Sequence, residues 1–246
     1  MGEDVSSSPR VKLTQVERIS YVRDMFGWLA LHYDLFNHVA SLGRDRFWRQ
    51  ATARRVKVFK TGRILDVAAG TGDQCLANVR AHPGSTVFGV DFVYPMLKVG
   101  QNKFRSLNMN TCLFPVAGDA LCLPFPNESF DSATMSFGIR NIPDQPAAMK
   151  EICRVLVPGG RALILEMTFP RWSFIRRFYN IYLNRLIPVL GNVISGNPKP
   201  FHYLADSIMD FPLPESFCRI MQEAGFKRTR FYKMTFGITV LHVGER

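Results

Sequence analysis

Leu65-Asp66-Val67-Ala68-Ala69-Gly70-Thr71-Gly72-Asp73 is the stretch on which the fold turns. An apolar run passes into Gly70-Thr71-Gly72 and then, from Gln74, into a helical pattern. That order reads as a strand, a backbone-rich turn and a helix N-terminus, where glycine lets a ligand approach the main chain. A tight strand–helix connection with no ligand is the competing reading. A dinucleotide fingerprint would need G-x-G-x-x-G, and the third glycine position holds Cys75 instead.

Outward from the turn, β-rich runs alternate with helical patterns. Strands are expected at Arg63–Ala69, Thr86–Phe92, Thr111–Ala117, Asp131–Phe137 and Arg161–Phe169. Helices are expected near Gln74–Ala81, Pro95–Leu107 and Gln145–Leu156, with Val157-Pro158-Gly159-Gly160 stopping the third. Apolar strands alternating with helices imply a mostly parallel sheet covered on both faces. The end differs: a helix over Glu215–Ala224, then Arg230–Phe236 and Ile238–Gly244 separated only by Gly237. So short a link favours antiparallel pairing of the last two strands. The expectation is a Rossmann-like α/β fold, seven-stranded, ending in an antiparallel hairpin. It forms a single domain over 1–246, with an N-terminal helical cap at about 13–59 and a substrate-side insertion at about 170–214.

The bulk numbers narrow the setting. The 246 residues suffice for one well-buried domain, and 47% hydrophobic with 21% charged residues is ordinary globular composition. The formal charge of +11 suits an anionic surface or an acidic partner. No basic stripe interleaved with stacking aromatics is present, so nucleic acid is not expected. The five cysteines (Cys75, Cys112, Cys122, Cys153, Cys218) are scattered, without a C-x-x-C pair. Neither a disulfide framework nor a metal site is expected, and a reducing cytoplasm fits. The polar start, Met1 to Lys12, has no apolar signal core, and nothing approaches the ~18 apolar residues of a spanning helix.

Residues at successive strand ends converge on the glycine turn. Asp91 closes the second strand, some twenty residues beyond the turn, where a carboxylate can accept both ribose hydroxyl protons. Asp119, in Ala117-Gly118-Asp119-Ala120, is placed to accept from an adenine amino group, and Ser136 ends the fourth strand. Any one of these would serve as a helix cap; together on one edge they point to a nucleoside-bearing cofactor.

Here the chain resembles the ubiquinone/menaquinone biosynthesis C-methyltransferases, from about Tyr21 to the end. The resemblance rests on Ala30-Leu31-His32-Tyr33-Asp34-Leu35-Phe36-Asn37, Leu65–Asp73, Leu123-Pro124-Phe125-Pro126 and Ser136-Phe137-Gly138-Ile139-Arg140-Asn141. It continues in Arg154–Gly160 and in Tyr203-Leu204-Ala205-Asp206-Ser207-Ile208. It implies a class I methyltransferase that moves a methyl group from S-adenosylmethionine to a ring carbon of a polyprenylated hydroquinone. It also implies cofactor contacts at Thr71, Asp91, Asp119 with Ala120, and Ser136; the turn adds Asp66, Gly70 and Gly72. Position 119 departs from the family's usual asparagine: Asp accepts from the adenine amino group but donates nothing.

The chemistry requires a nucleophilic ring carbon, hence a phenol that gives up its proton. Arg140 and Tyr33 are the catalytic candidates, Arg140 as a cation beside the developing phenolate. Asn141, His202 and Tyr203 join them as candidates for the acceptor pocket. Phe174, Phe178 and Ile181, with Ile175, Tyr179, Tyr182 and Leu186, form a broad apolar helical face flanked by Arg171, Arg176 and Arg185. Such a face suits peripheral contact with an anionic membrane, a homodimer contact, or packing on the core. Three rival functions remain: the same fold acting on another lipid or phenol, a binding module without turnover, and a dehydrogenase, the last weakened by Cys75.

Overall fold

The computed structural model describes residues 15–170, 172–196 and 199–246. Leu13, the polar start, Arg171 and the side chain of His202 lie outside the described residues. Three helices come first: α1 (Gln15–Leu29), α2 (Tyr33–Ala40) and α3 (Arg44–Ala53). The alternating body follows as β1 (Arg63–Val67), α4 (Asp73–Ala81), β2 (Thr86–Asp91), α5 (Tyr94–Ser106), β3 (Leu113–Ala117), β4 (Phe130–Ser136), α6 (Gln145–Val155) and β5 (Leu156–Met167). Then come α7 (Ser173–Ile181), α8 (Ile187–Ser195), α9 (Lys199–Met209), α10 (Pro214–Glu223), β6 (Arg228–Met234) and β7 (Thr239–Glu245).

The seven strands form one sheet in the order β3-β2-β1-β4-β5-β7-β6. β1 to β5 pair in parallel, and β7 runs antiparallel to both β5 and β6. Strand order reverses between β1 and β4, where an open α/β sheet leaves a crevice at its carboxyl edge. One apolar core packs α6 and α10 on the sheet around Phe130, Met149, Ile152 and Phe217. The opposite core gathers Ile64, Cys75, Leu113 and Leu163 with Trp48 of α3.

One local expectation is corrected. Val157–Gly160 does not delay the fifth strand to Arg161: Leu156 already pairs with Phe130, and Ser132 next pairs with Arg161 across a bulge. Arg185, Pro188 and Gly191, which interrupt the apolar run near Leu183–Ile194, do not end the helix. Instead α7 and α8 join through a π-turn at Tyr182–Leu186, with Ile187 N–H donating to the Tyr182 carbonyl. The wider turn absorbs the ring and missing N–H of Pro188. The resulting helix is apolar on two faces. Tyr179, Leu183 and Ile187 are buried against α2 and α9, while Phe174, Phe178, Ile181, Leu186, Val189 and Val193 are exposed.

Candidate active site

Gly70 and Gly72 both take positive φ (56° and 82°), the conformations only glycine adopts freely. Their reasons differ. A Cβ on Gly72 would stand 2.2 Å from the Phe104 ring of α5, so this glycine serves packing. The Gly70 N–H donates to Asp91 Oδ2 at 2.8 Å, and Val93 N–H donates to Oδ1 at 2.8 Å. Asp91 is thereby fixed at the end of β2. Burial pushes its pKa up to about 6 against those two donors.

A cavity at the carboxyl edge is lined by Gly70, Asp91, Asp119, Ala120 and Ser136, together with Tyr33, Phe137 and Asn141. Asp119 Oδ1 accepts from Leu121 N–H at 2.9 Å, and Ser136 donates to Gln74 Oε1 at 2.9 Å. Asp66, Thr71 and Gly72 do not line it. Asp66 lies behind the turn, accepting from Thr134 Oγ1 at 2.7 Å and from Cys75 Sγ at 3.2 Å, its pKa pushed up to about 6 by burial. Thr71 gives its hydroxyl proton to Asp34 Oδ1 at 2.5 Å. Close strand–helix packing is relieved on the sheet side. A Cβ on Gly89 would stand 2.8 Å from Cys75 Sγ, so β2 carries the glycine that the turn lacks.

A second cavity of about 460 Å³ lies beneath the N-terminal helices and α7–α9. Its wall is largely apolar, with Phe36, Leu183, Ile187 and Phe201 among the buried side chains. Polar groups enter it at Tyr33, Arg140, Asn141, Tyr203 and Ser207. Phe26, Tyr33, Phe137 and Asn141 line both cavities, so the two spaces share a wall. The hydroxyls of Tyr203 and Tyr179 are buried and have no hydrogen-bond partner among the described residues.

Arg140 sits in a short 3₁₀ turn, Ile139–Asn141, directly after β4. Its guanidinium donates to the Phe137 carbonyl at 3.0 Å, to Ser207 Oγ at 3.3 Å and, through a short bond, to Glu166. Burial works against its charge, but the adjacent Glu166 carboxylate outweighs that and holds the arginine protonated. Glu166 escapes the motif reading, although a lone carboxylate within Leu163-Ile164-Leu165-Glu166-Met167 signals a buried partner. Also missed is the group that ties the cap to the turn. Lys103 Nζ lies 2.5 Å from Asp34 Oδ2 and 2.7 Å from Asp73 Oδ1. Of the predicted residues, then, Tyr33, Gly70, Asp91, Asp119, Ala120, Ser136, Arg140, Asn141 and Tyr203 gather on the two cavities. Among the described residues no metal-ligating cluster is present.

The residues fit a cofactor with a nucleoside at one end and an amino acid at the other. Asp91 is a fixed carboxylate that could accept from a ribose diol, Asp119 an acceptor that could take a purine amino group, and Gly70 bare backbone on the same wall.

Comparison with known proteins gives the same reading. The model of the ubiE/COQ5 methyltransferase family matches residues 13–246. The ubiquinone/menaquinone biosynthesis C-methyltransferase of Geobacter sulfurreducens is 38% identical over 231 residues, covering 94% of this chain and 90% of that protein. The demethylmenaquinone methyltransferase of Thermus thermophilus is 40% identical, covering 90% of this chain and 100% of its own. Among solved structures, a SAM-dependent methyltransferase from Thermotoga maritima superposes with a TM-score of 0.64 at 20% identity, covering 90% and 98% of the two chains. A phosphoethanolamine N-methyltransferase of Haemonchus contortus in complex with S-adenosyl-L-methionine gives 0.57 at 20% identity, over 92% of this chain and 45% of that one. With its sheet order, its glycine turn and its strand-end carboxylate in place, this S-adenosylmethionine-dependent methyltransferase belongs to the ubiE/COQ5 methyltransferase family.

Proposed function

We propose that the chain methylates a ring carbon of a polyprenylated hydroquinone, of the demethylmenaquinol or ubiquinone-precursor type, held in the larger cavity. The observation that carries this reading is the wall shared by the two cavities, formed by Phe26, Tyr33, Phe137 and Asn141. A methyl donor on one side and a flat ring on the other would meet there. S-adenosylmethionine supplies an electrophilic methyl on a cationic sulfur, so the protein's tasks are alignment and management of one proton.

In this reading Asp91 accepts from the ribose hydroxyls, Asp119 and Ala120 border the adenine, and Ser136 borders the methionine portion. Arg140 faces the quinol oxygen ortho to the reacting carbon. A guanidinium stays protonated, so Arg140 acts by stabilising the phenolate rather than by taking its proton. Asn141, Tyr203 and the unpartnered Tyr179 hydroxyl are the hydrogen-bonding groups available to the ring oxygens. Tyr33 closes the ring pocket from α2. A radiolabelled methyl-transfer assay comparing demethylmenaquinol with the benzoquinol precursor tests this; transfer to neither overturns it.

The prenyl tail and the membrane belong to the same proposal. No helix among the described residues is long and apolar enough to cross a membrane. The exposed stripe of α7–α8 instead lies beside the larger cavity, whose wall includes Ile175, Phe178 and Tyr182. From Met167 to Ala205 the chain has no acidic residue, while Arg176, Arg177 and Arg185 are exposed on the same helix. Apolar side chains rimmed by arginine favour peripheral contact with an anionic bilayer. A homodimer contact would cover the same residues. A two-fold contact, however, sets this basic stripe against itself, which favours lipid as the occupant.

A further inference from the structure

Leu42 stands out on the surface of the N-terminal helices. It is 88% exposed, and its φ of 51° puts a bulky side chain in the left-handed region, where leucine is uncommon. Neither packing nor backbone ease accounts for it. The turn that holds it, between α2 and α3, is tightly built. Leu42 N–H donates to the Val39 carbonyl at 3.0 Å, and Gly43 N–H to the His38 carbonyl at 2.8 Å. Asp45 Oδ1 accepts from the Ser41 hydroxyl at 3.0 Å and lies 3.1 Å from His38 Nδ1, bracing the turn from α3. Strain held this firmly points to a task for the side chain on display.

The larger cavity indicates which task. The side chains lining it are buried or half-buried except for Leu42, Arg44 and Phe178, which are exposed and so mark its mouth. Leu42 comes from the α2–α3 turn, and Phe178, 58% exposed, from α7. Tyr182, one turn beyond Phe178, gives its hydroxyl proton to the Ala40 carbonyl through a short bond, which ties the two sides of the mouth together. Outside, the apolar surface continues along α7, the Phe174 and Phe178 rings meeting edge to face with centroids 4.8 Å apart. Inside lies the wall shared with the smaller cavity. A ligand reaching from that wall to this mouth is apolar at its outer end.

We infer that Leu42 grips the prenyl tail of the acceptor opposite Phe178, where the tail leaves the ring cavity, and so sets the preference for acceptors that carry a tail. The inference rests on the quinol reading above and adds to it the residue that reads the tail. Exposure without a ligand and contact with one explain together why so apolar a side chain is held out in a strained turn. Leu42 takes no part in the methyl or proton transfer.

A series of demethylmenaquinols with no tail and with one to three prenyl units, assayed as soluble acceptors without vesicles, isolates the contact. In the wild type kcat/KM should rise with each added unit. Leu42→Asn is the deciding variant, because asparagine accepts the left-handed backbone and keeps the turn while the apolar contact goes. It should lose on the order of tenfold of the gain between the tail-free and the longest acceptor, mainly through KM. Leu42→Met, still apolar, should keep most of that gain. An equal change for every acceptor in Leu42→Asn, the mark of a merely structural role, overturns the inference and leaves the quinol reading standing. A loss that appears only when vesicles are added assigns Leu42 to lipid contact and overturns it too. Transfer to none of the acceptors by the wild type removes the quinol reading and this inference with it.

Discussion

Thr71, in the glycine turn, gives its hydroxyl proton to Asp34, at the start of α2, over 2.5 Å. The same carboxylate holds Lys103 of α5, which also holds Asp73 of α4. Burial pulls the Lys103 pKa down, but Asp73 and Asp34 outweigh it and raise it above the usual lysine value. The cap that carries Tyr33 is thus fastened to the turn by a polar group spanning four elements. Asp34→Asn removes the charge and should leave the thermal midpoint nearly unchanged, because the pair is partly exposed. It should weaken S-adenosylhomocysteine binding, by roughly tenfold, through a looser cap. Stopped-flow dissociation rates check this, and an unchanged rate counts against the fastening role.

Glu166 is fully buried and Arg140 is 6% exposed. Removing one partner leaves the other as an uncompensated buried charge. Glu166→Gln should therefore cost about 3 to 5 kcal/mol of stability and most of the turnover. The double change Arg140→Met with Glu166→Met should recover much of the stability and none of the turnover. Denaturant midpoints and methyl-transfer rates for both variants separate the structural effect of the pair from its chemical one.

On the proposed ribose contact, Asp91 should give cofactor affinity a pH dependence. Burial raises its pKa to about 6, so the carboxylate is protonated below that value and ionised above it. Ribose hydroxyls are bound best by the ionised acceptor, so affinity should rise from pH 5 to 7 and level off thereafter. Asp91→Asn should bind more weakly at pH 7.5 and lose most of the slope. Titrations of S-adenosylhomocysteine across this range decide the matter; a slope that survives in Asp91→Asn assigns it to another group.

The exposed stripe of α7–α8 offers a separate test. Phe174 and Val193 are 73% and 77% exposed, and neither lines a cavity. Phe174→Glu with Val193→Glu should leave turnover of a short-chain quinol unchanged. The same variant should lose flotation with phosphatidylglycerol vesicles and turn over a long-chain quinol embedded in them more slowly. Undiminished flotation excludes this face as the docking surface.

Much of the fold was legible because it is written locally. Strand ends near Asp91 and Ser136 and the close link at Gly237 follow from apolar runs and turn residues. The π-turn before Pro188 was not, because it is settled by packing on α2 and α9 rather than by local residue pattern. The candidate site divides the same way. Asp91, Asp119 and Arg140 stand beside strand ends and announce themselves by position. Glu166 and Lys103 matter through partners far away in sequence. Nor did the glycine turn reveal that Gly72 serves Phe104 and only Gly70 reaches Asp91.

The central claim is that the methyl group lands on a ring carbon. The protein, given S-adenosylmethionine with a ¹³C-labelled methyl and a reduced demethylmenaquinol, should yield a product whose labelled carbon resonates as an aryl methyl in the NMR spectrum. A labelled methoxy signal, or a label that stays on the cofactor with both quinol types, contradicts the account.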